Sequence, residues 1–202
     1  SLIIDESGIT KKGKHSAGVA RQYNGRLGKV DNCQVGVFSA LSHGTEVCMI
    51  GARLYLPKEW TKKPKRCAKV GIPKEKMKHR TKQELALELI AQAVEDGAQF
   101  SWVLADAGYG HDLKFCRAVE DRQRLKFIVG VHKSQRIYWE DPRPAVPERC
   151  GQRGAKPSRL QSQAKPAKVE KWAKAQKKTA WTLLKLRDAT KGELRVEVLW
   201  RR

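Results

Sequence analysis

The chain has 202 residues, with 42 Lys and Arg against 21 Asp and Glu, a formal net charge of +21 and a mean hydropathy of −0.61. That length suits one domain with an elaboration, and so large a basic excess points to an anionic polymer as partner. No apolar run approaches the ~20 residues that cross a bilayer, and the basic residues lie in loops rather than along an amphipathic helix, which sets membranes aside. The five cysteines, at 33, 48, 67, 116 and 150, are odd in number and contain no C-x-x-C pair. This argues against a disulfide framework or structural zinc site and favours reduced thiols in a cytosolic protein.

In chain order, Leu2-Ile3-Ile4-Asp5 reads as a short buried strand closed by a carboxylate. It begins at once, with no Met and no signal-peptide pattern, so the sequence reads as a piece of something longer. Lys11-Lys12-Gly13-Lys14-His15-Ser16 is a basic, glycine-broken loop. Val35–Leu41 and Glu46–Leu56 read as strands joined by a turn at His43-Gly44-Thr45. Residues 57–80 read as an exposed basic loop with a short helix near Lys58-Glu59-Trp60. Thr81-Lys82-Gln83-Glu84 fits a capping box, and the helix it opens ends at Asp96-Gly97. Trp102-Val103-Leu104-Ala105 is a second apolar run closed by an aspartate, Asp106. The turn Ala107-Gly108-Tyr109-Gly110 follows, then a helix over 111–124 and a strand over 127–131.

The order strand, strand, strand, helix, strand, helix, strand predicts an α/β fold, a ribonuclease H-like mixed sheet flanked by helices. Five of the eight prolines fall within 140–168, which reads as a mobile loop rich in Pro, Gln, Arg and Lys. Residues 181–187 and 194–200 read as two strands, the second with Leu194, Val196, Val198 and Trp200 turned inward. The predicted organisation is a partial core over 1–132, a flexible basic loop over 133–168 and a strand-rich, truncated insertion over 169–202.

Asp5 and Asp106 are the main candidates for chemistry. Carboxylates leaving neighbouring strands supply the hard oxygen ligands that Mg²⁺ or Mn²⁺ prefers, and such ions assist phosphoryl transfer on a polyanion. The competing reading is that each aspartate only caps a turn or helix. The basic stretches Lys11 to His15, Lys58 to Lys82 and Arg149 to Lys178 are suited to a phosphate backbone, or are a solvated surface. Gly108-x-Gly110 is a phosphate cradle or simply a tight strand-to-helix turn. His111 and His132 could move protons or merely pack. Tyr23, Tyr109, Trp60 and Trp102 are better read as packing residues than as base-stacking platforms.

Several segments together resemble the DDE-superfamily transposases of bacterial insertion sequences. They are Ile3-Ile4-Asp5-Glu6-Ser7-Gly8, residues 11–23 and 28–35, Leu54-Tyr55-Leu56-Pro57-Lys58-Glu59-Trp60, Thr81-Lys82-x-Glu84-Leu85-Ala86-Leu87 and Ala105-Asp106-x-Gly108-Tyr109-Gly110. The resemblance implies a core that binds Mg²⁺ (or Mn²⁺) and cuts and rejoins DNA, with Asp5 and Asp106 as the first two acids. Lys11, Lys12, Lys14, His15 and Arg21 are the candidates to hold DNA. It implies transposon ends and target DNA as partners, bound by one chain or a homodimer, in the bacterial cytoplasm at the nucleoid. The family's third acid, a Glu between an arginine and a lysine on a later helix, has no match here. Glu170, Glu193 and Glu197 all lack that context. The sequence therefore reads as an incomplete core. Two other readings stay open: a nuclease that only hydrolyses, and a basic nucleic-acid-binding remnant without catalysis.

Overall fold

The computed structural model describes residues 1–123, 125–149, 151, 155–189 and 192–200. The chain divides into two compact units, Ser1–Val131 and His132–Arg202. No helix among the described residues is long and apolar enough to cross a membrane.

The first unit is built on a six-stranded mixed sheet. β1 (Leu2–Thr10) lies between β3 (Lys29–His43), which is antiparallel to it, and β5 (Trp102–Ala105), which is parallel. β2 (Ala20–Asn24) and β4 (Glu46–Leu54) both pair antiparallel with β3, and β6 (Lys126–Val129) extends the parallel side. This mixed α/β arrangement is compatible with a ribonuclease H-like fold.

The strands differ from the sequence reading in two places. β1 does not stop at Asp5, because Glu6 to Thr10 pair in turn with Val37 to Cys33 of the long third strand. The ladder thus carries Ser7 and Gly8, residues of low strand propensity, through the strand. The second difference is an extra strand, β2. Its Arg21-Gln22-Tyr23-Asn24 run is too polar to read as a strand, and it is held by pairing with Lys29 to Asn32. The connecting turn has Gly28 at φ 64°, a conformation that glycine adopts without steric cost.

All the long helices cover one face of the sheet. α3 (Lys82–Glu95) begins with the expected capping box: the Thr81 side chain accepts from Glu84 N–H, and the Glu84 carboxylate accepts from Thr81 N–H. It ends as expected at Gly97 (φ 79°), where Ala98 N–H reaches back to Ala93 O and Gly97 N–H to Val94 O, the Schellman pattern. Its Leu85, Ala86, Leu89, Ile90 and Ala93 pack on Leu2, Ile4, Val37 and Val103, joined by Phe115, Cys116 and Val119 of α5 (Leu113–Gln123). Each fully buried large apolar side chain contributes ~1.5–3 kcal/mol, so this cluster is the main stabilising element. The two helical crossovers, from β4 to β5 and from β5 to β6, step the same way across the sheet, and right-handed connections then put both helices on the same side. Strand alternation sends Ile3, Asp5 and Phe38 to the other face.

Residues 57–80 correct the expectation of an exposed loop. α1 (Lys58–Thr61), α2 (Pro64–Lys69) and a 3₁₀ turn (Lys74–Lys76) fold around their own small core of Trp60, Cys67 and Val19. Lysine density hid this core from the sequence, since only two side chains in the first two helices are buried.

In the second unit, β7 (Arg136–Ile137) pairs with β8 (Ala167–Lys168), and Ala145 bridges Gln161. α6 (Val169–Ala175) follows, its Trp172 stacked on Trp139 at 6.1 Å. β9 (Thr182–Ala189) and β10 (Gly192–Val198) form the expected hairpin, with an irregularity at Leu194/Arg195. Only part of the expected inward face is covered: Val196 and Val198 are half-buried, but Leu194 and Trp200 are exposed.

A short helix, α4 (Ala107–Gly110), links β5 to α5, and a side chain at Gly110 would collide with the Gly130 carbonyl. Gly110→Ala should therefore cost about 1–3 kcal/mol in chemical denaturation. Gly13→Ala, which meets nothing within 4 Å, should change little. Equal stability of the two variants would contradict this packing.

Candidate functional site

Asp5 and Asp106 converge because β1 and β5 run parallel and in register. Leu2, Ile3 and Ile4 pair with Val103, Leu104 and Ala105, so Asp5 and Asp106 are the next residues on the two chains. Both are exposed. Asp5 sits within β1 and Asp106 just beyond β5, so the expectation that each closes a strand holds only for Asp106. Asp106 also caps α4, its Oδ1 accepting from Gly108 N–H at 2.8 Å. Asp5 Oδ1 accepts from Glu6 N–H at 2.8 Å. Each carboxylate keeps its second oxygen free of hydrogen bonds among the described residues.

The electrostatics of the pair are unfavourable as they stand. Partial burial pushes the Asp5 carboxyl above the ordinary aspartate range, and the charges of Asp106 and Glu6 add to the rise despite the opposing Glu6 N–H bond. A divalent cation would reverse that repulsion, and two carboxylates with free oxygens are the donor chemistry of Mg²⁺ or Mn²⁺. The pair therefore fits such an ion, although among the described residues no three His, Cys, Asp or Glu side chains cluster as a ligand set. Glu6 does not join the pair, because strand alternation turns it to the helical face, where Lys82 of α3 donates to it.

Tyr109, the middle residue of the Gly-Tyr-Gly turn, is wholly buried, its ring 5.5 Å from Phe115. Its hydroxyl faces the Glu6 carboxylate without completing a hydrogen bond of normal geometry. Burial first, then the charges of Glu6, Asp106 and Asp5, raise its ionisation far above the usual phenol range. Gln83 Nε2 donates to Gly108 O at 2.9 Å, tying the start of α3 to the same turn. The sequence reading missed Glu6, Lys82 and Gln83. The adjacency of Glu6 to Asp5 was visible, but its pairing with a residue 76 positions away was not.

Gly108-x-Gly110 is a tight turn rather than a phosphate cradle, since Gly108 N–H is already taken by Asp106 and Gly110 makes room for the Gly130 carbonyl. His111 Nδ1 lies 3.1 Å from Ala107 O and His132 Nδ1 lies 2.6 Å from Ser134 Oγ, local partners for both. The basic loop is not gathered at the aspartates. Lys11 lies six residues beyond Asp5, about 20 Å along an extended strand. Its backbone is pinned by Asn32 Nδ2 on Lys11 O (2.6 Å) and Gly13 O (3.0 Å), which leaves Lys12, Lys14 and His15 exposed. Arg21 is exposed on β2, opposite Asn32.

Because the folded Asp5 binds its proton more readily than the unfolded one, its contribution to stability is present at low pH and lost as pH rises through the raised value. Metal-free Asp5→Asn should therefore melt above wild type at pH 7, and the gap should close on acidification. A gap independent of pH would contradict this account. Tyr109→Phe removes a buried hydroxyl that lacks a good partner, so its unfolding free energy should stay within about 1 kcal/mol of wild type or rise. A loss above about 2 kcal/mol in urea unfolding would show that the hydroxyl has a stabilising partner.

Comparison with known proteins identifies the family. A family model described as "DDE superfamily endonuclease" matches residues 1–193. A relative from Microchaete diplosiphon, named "Probable transposase for insertion sequence element IS701", is 35% identical over 140 residues, covering 67% of this chain and 33% of the relative. The chain thus spans about a third of the length of the curated relative it matches. No solved structure matches it significantly. With its model matched over nearly all of the sequence, the chain belongs to the DDE superfamily of endonucleases.

Proposed function

We propose that this chain is part of the catalytic core of an insertion-sequence transposase that cleaves DNA strands and joins them to target DNA. The observation that supports this most is the adjacent register of Asp5 and Asp106 on parallel strands, within a chain of the DDE family. Two bare carboxylates are the wrong sign for a phosphodiester, since they would repel substrate and nucleophile alike. Asp5 and Asp106 would therefore hold Mg²⁺ or Mn²⁺, which stabilises charge developing on the phosphoryl oxygens. Lys11, Lys12, Lys14, His15 and Arg21 would position the backbone by charge. Hydrolysis breaks the P–O3′ bond: the attacking water gives up a proton and the departing 3′ oxygen gains one. In strand transfer that 3′-hydroxyl attacks a target phosphodiester in the same way, and the target's own 3′ oxygen leaves. In this reading the first unit is a ribonuclease H-like core and residues 169–202 are a strand-rich insertion. Action on DNA would put the protein at the bacterial nucleoid.

A second reading, a DNA-binding module without catalysis, is favoured by the lack of a three-ligand cluster among the described residues. Labelled duplex with Mn²⁺ or EDTA separates the two. In the catalytic reading, nicking requires the metal and falls on the order of 10³-fold in Asp5→Asn and Asp106→Asn, the loss of several kcal/mol of charge stabilisation. Mn²⁺ should also raise the melting temperature of wild type but not of either variant. Duplex affinity that holds or improves in both variants, with no Mn²⁺ shift and no nicking in any form, would establish the binding module instead.

A further inference from the structure

We propose that residues 57–80 form a preformed lobe that docks the sugar–phosphate backbone of duplex DNA, latched by Arg66 to the Lys11–His15 loop. The proposal rests on DNA being the substrate and adds a surface separate from the aspartate pair.

Charge is the first observation. Residues 58–82 hold eleven Lys and Arg against two acids, a large share of the chain's +21 in an eighth of its length. Lys58, Lys62, Lys63, Lys65, Lys69, Lys74, Lys76 and Lys78 are all exposed. None forms an ion pair among the described residues. Like charges at this density repel, so an unfolded segment of this composition would stay extended in solvent.

The segment is folded instead, and its construction is the second observation. Trp60 and Cys67 are fully buried, Trp60 Nε1 donates to Val19 O at 2.7 Å, and Cys67 Sγ lies 3.3 Å from Trp60 O. Arg66 stacks over the Trp60 ring at 3.7 Å and donates to Lys14 O at 2.9 Å, with Glu59 3.8 Å away. One guanidinium thus fixes the lobe to the backbone of the basic loop. A planar fork lies flat on the ring and donates in its own plane, a geometry that a lysine ammonium does not reproduce. Holding the lysines in place before binding removes part of the ordering cost of association.

The composition selects the partner. Trp60 is the lobe's one aromatic residue among Phe, Tyr and Trp and is buried, so no ring is offered for base stacking on a single strand. Trp60 and Cys67 point inward, so α1 and α2 present no apolar stripe to a membrane. What remains is backbone contact with a duplex, independent of sequence. From Asp5 to the loop is about 20 Å along β1, or about six base pairs at ~3.4 Å each.

The test uses the full chain, a labelled random-sequence 20-base-pair duplex, anisotropy without divalent metal, and salt from 50 to 200 mM. Lys62→Gln, Lys65→Gln and Lys69→Gln together should weaken binding about tenfold or more and flatten the slope of log affinity against log salt by about 2–3. A control triple, Lys171→Gln, Lys177→Gln and Lys178→Gln, removes the same charge elsewhere and should weaken binding clearly less. Arg66→Lys, with charge conserved, should also lose affinity, with folding verified by circular dichroism. Equal losses in the two triples, or no loss in the lobe triple, overturns the lobe while leaving the aspartate reading intact. Unchanged affinity in Arg66→Lys overturns the latch. Tighter binding of a single-stranded RNA of equal length, lost in the lobe triple, overturns the duplex assignment. A wild-type chain that binds no duplex at all defeats both this proposal and the DNA reading beneath it.

Discussion

The parallel pairing of β1 with β5 is the constraint on which the rest depends. It joins residues a hundred positions apart, Leu2 with Val103 and Ile4 with Ala105, and the same few contacts serve both stability and the site. Leu2, Ile4 and Val103 are buried under α3 and α5, so their apolar burial sets the register. A slip by one residue would turn those side chains out and separate Asp5 from Asp106. The hydrophobic core therefore holds together two groups that electrostatics would push apart.

The two faces of the sheet divide the work by strand alternation. One side of β1 carries Leu2, Ile4 and Glu6 toward the helices, and the other carries Ile3 and Asp5 away from them. Glu6, beside Asp5 in sequence, is thereby spent on a structural ion pair with Lys82. That pair, the capping box at Thr81 and the Gln83 contact to Gly108 O all lie at the start of α3. The helix N-terminus and the turn after β5 therefore hold each other in place, with Tyr109 buried between Phe115 and the carboxylates.

The basic surface is organised by a different principle. Lysines do not pack, so their arrangement is set by the backbone beneath them: Asn32 on the Lys11 and Gly13 carbonyls, Arg66 on the Lys14 carbonyl, and Trp60 on the Val19 carbonyl. In each case a side chain from elsewhere in the fold donates to a backbone carbonyl of the segment it holds. A charged loop so held loses less freedom when it meets a polyanion.

Much of this was legible in the order of residues. Apolar runs marked β1 and β5, Thr81 to Glu84 marked the start of α3, Asp96-Gly97 its end, and two aspartates after Ile4 and Ala105 marked the candidate site, because each is a local pattern with a local physical cause. The reach of β1 past Gly8, the polar strand Ala20–Asn24 and the small core under Trp60 were not legible. The first and last exist through partners distant in sequence, Val35 and Val19, and the polar strand through a hairpin with Lys29 to Cys33 that no apolar alternation signals. By itself the sequence determined the elements, the charge and the chemical type of the candidate ligands, since propensity, capping and composition act over a few residues. Only the tertiary structure decided that Asp5 meets Asp106 while Glu6 turns away, because sheet register and side-chain alternation arise when strands a hundred residues apart are paired.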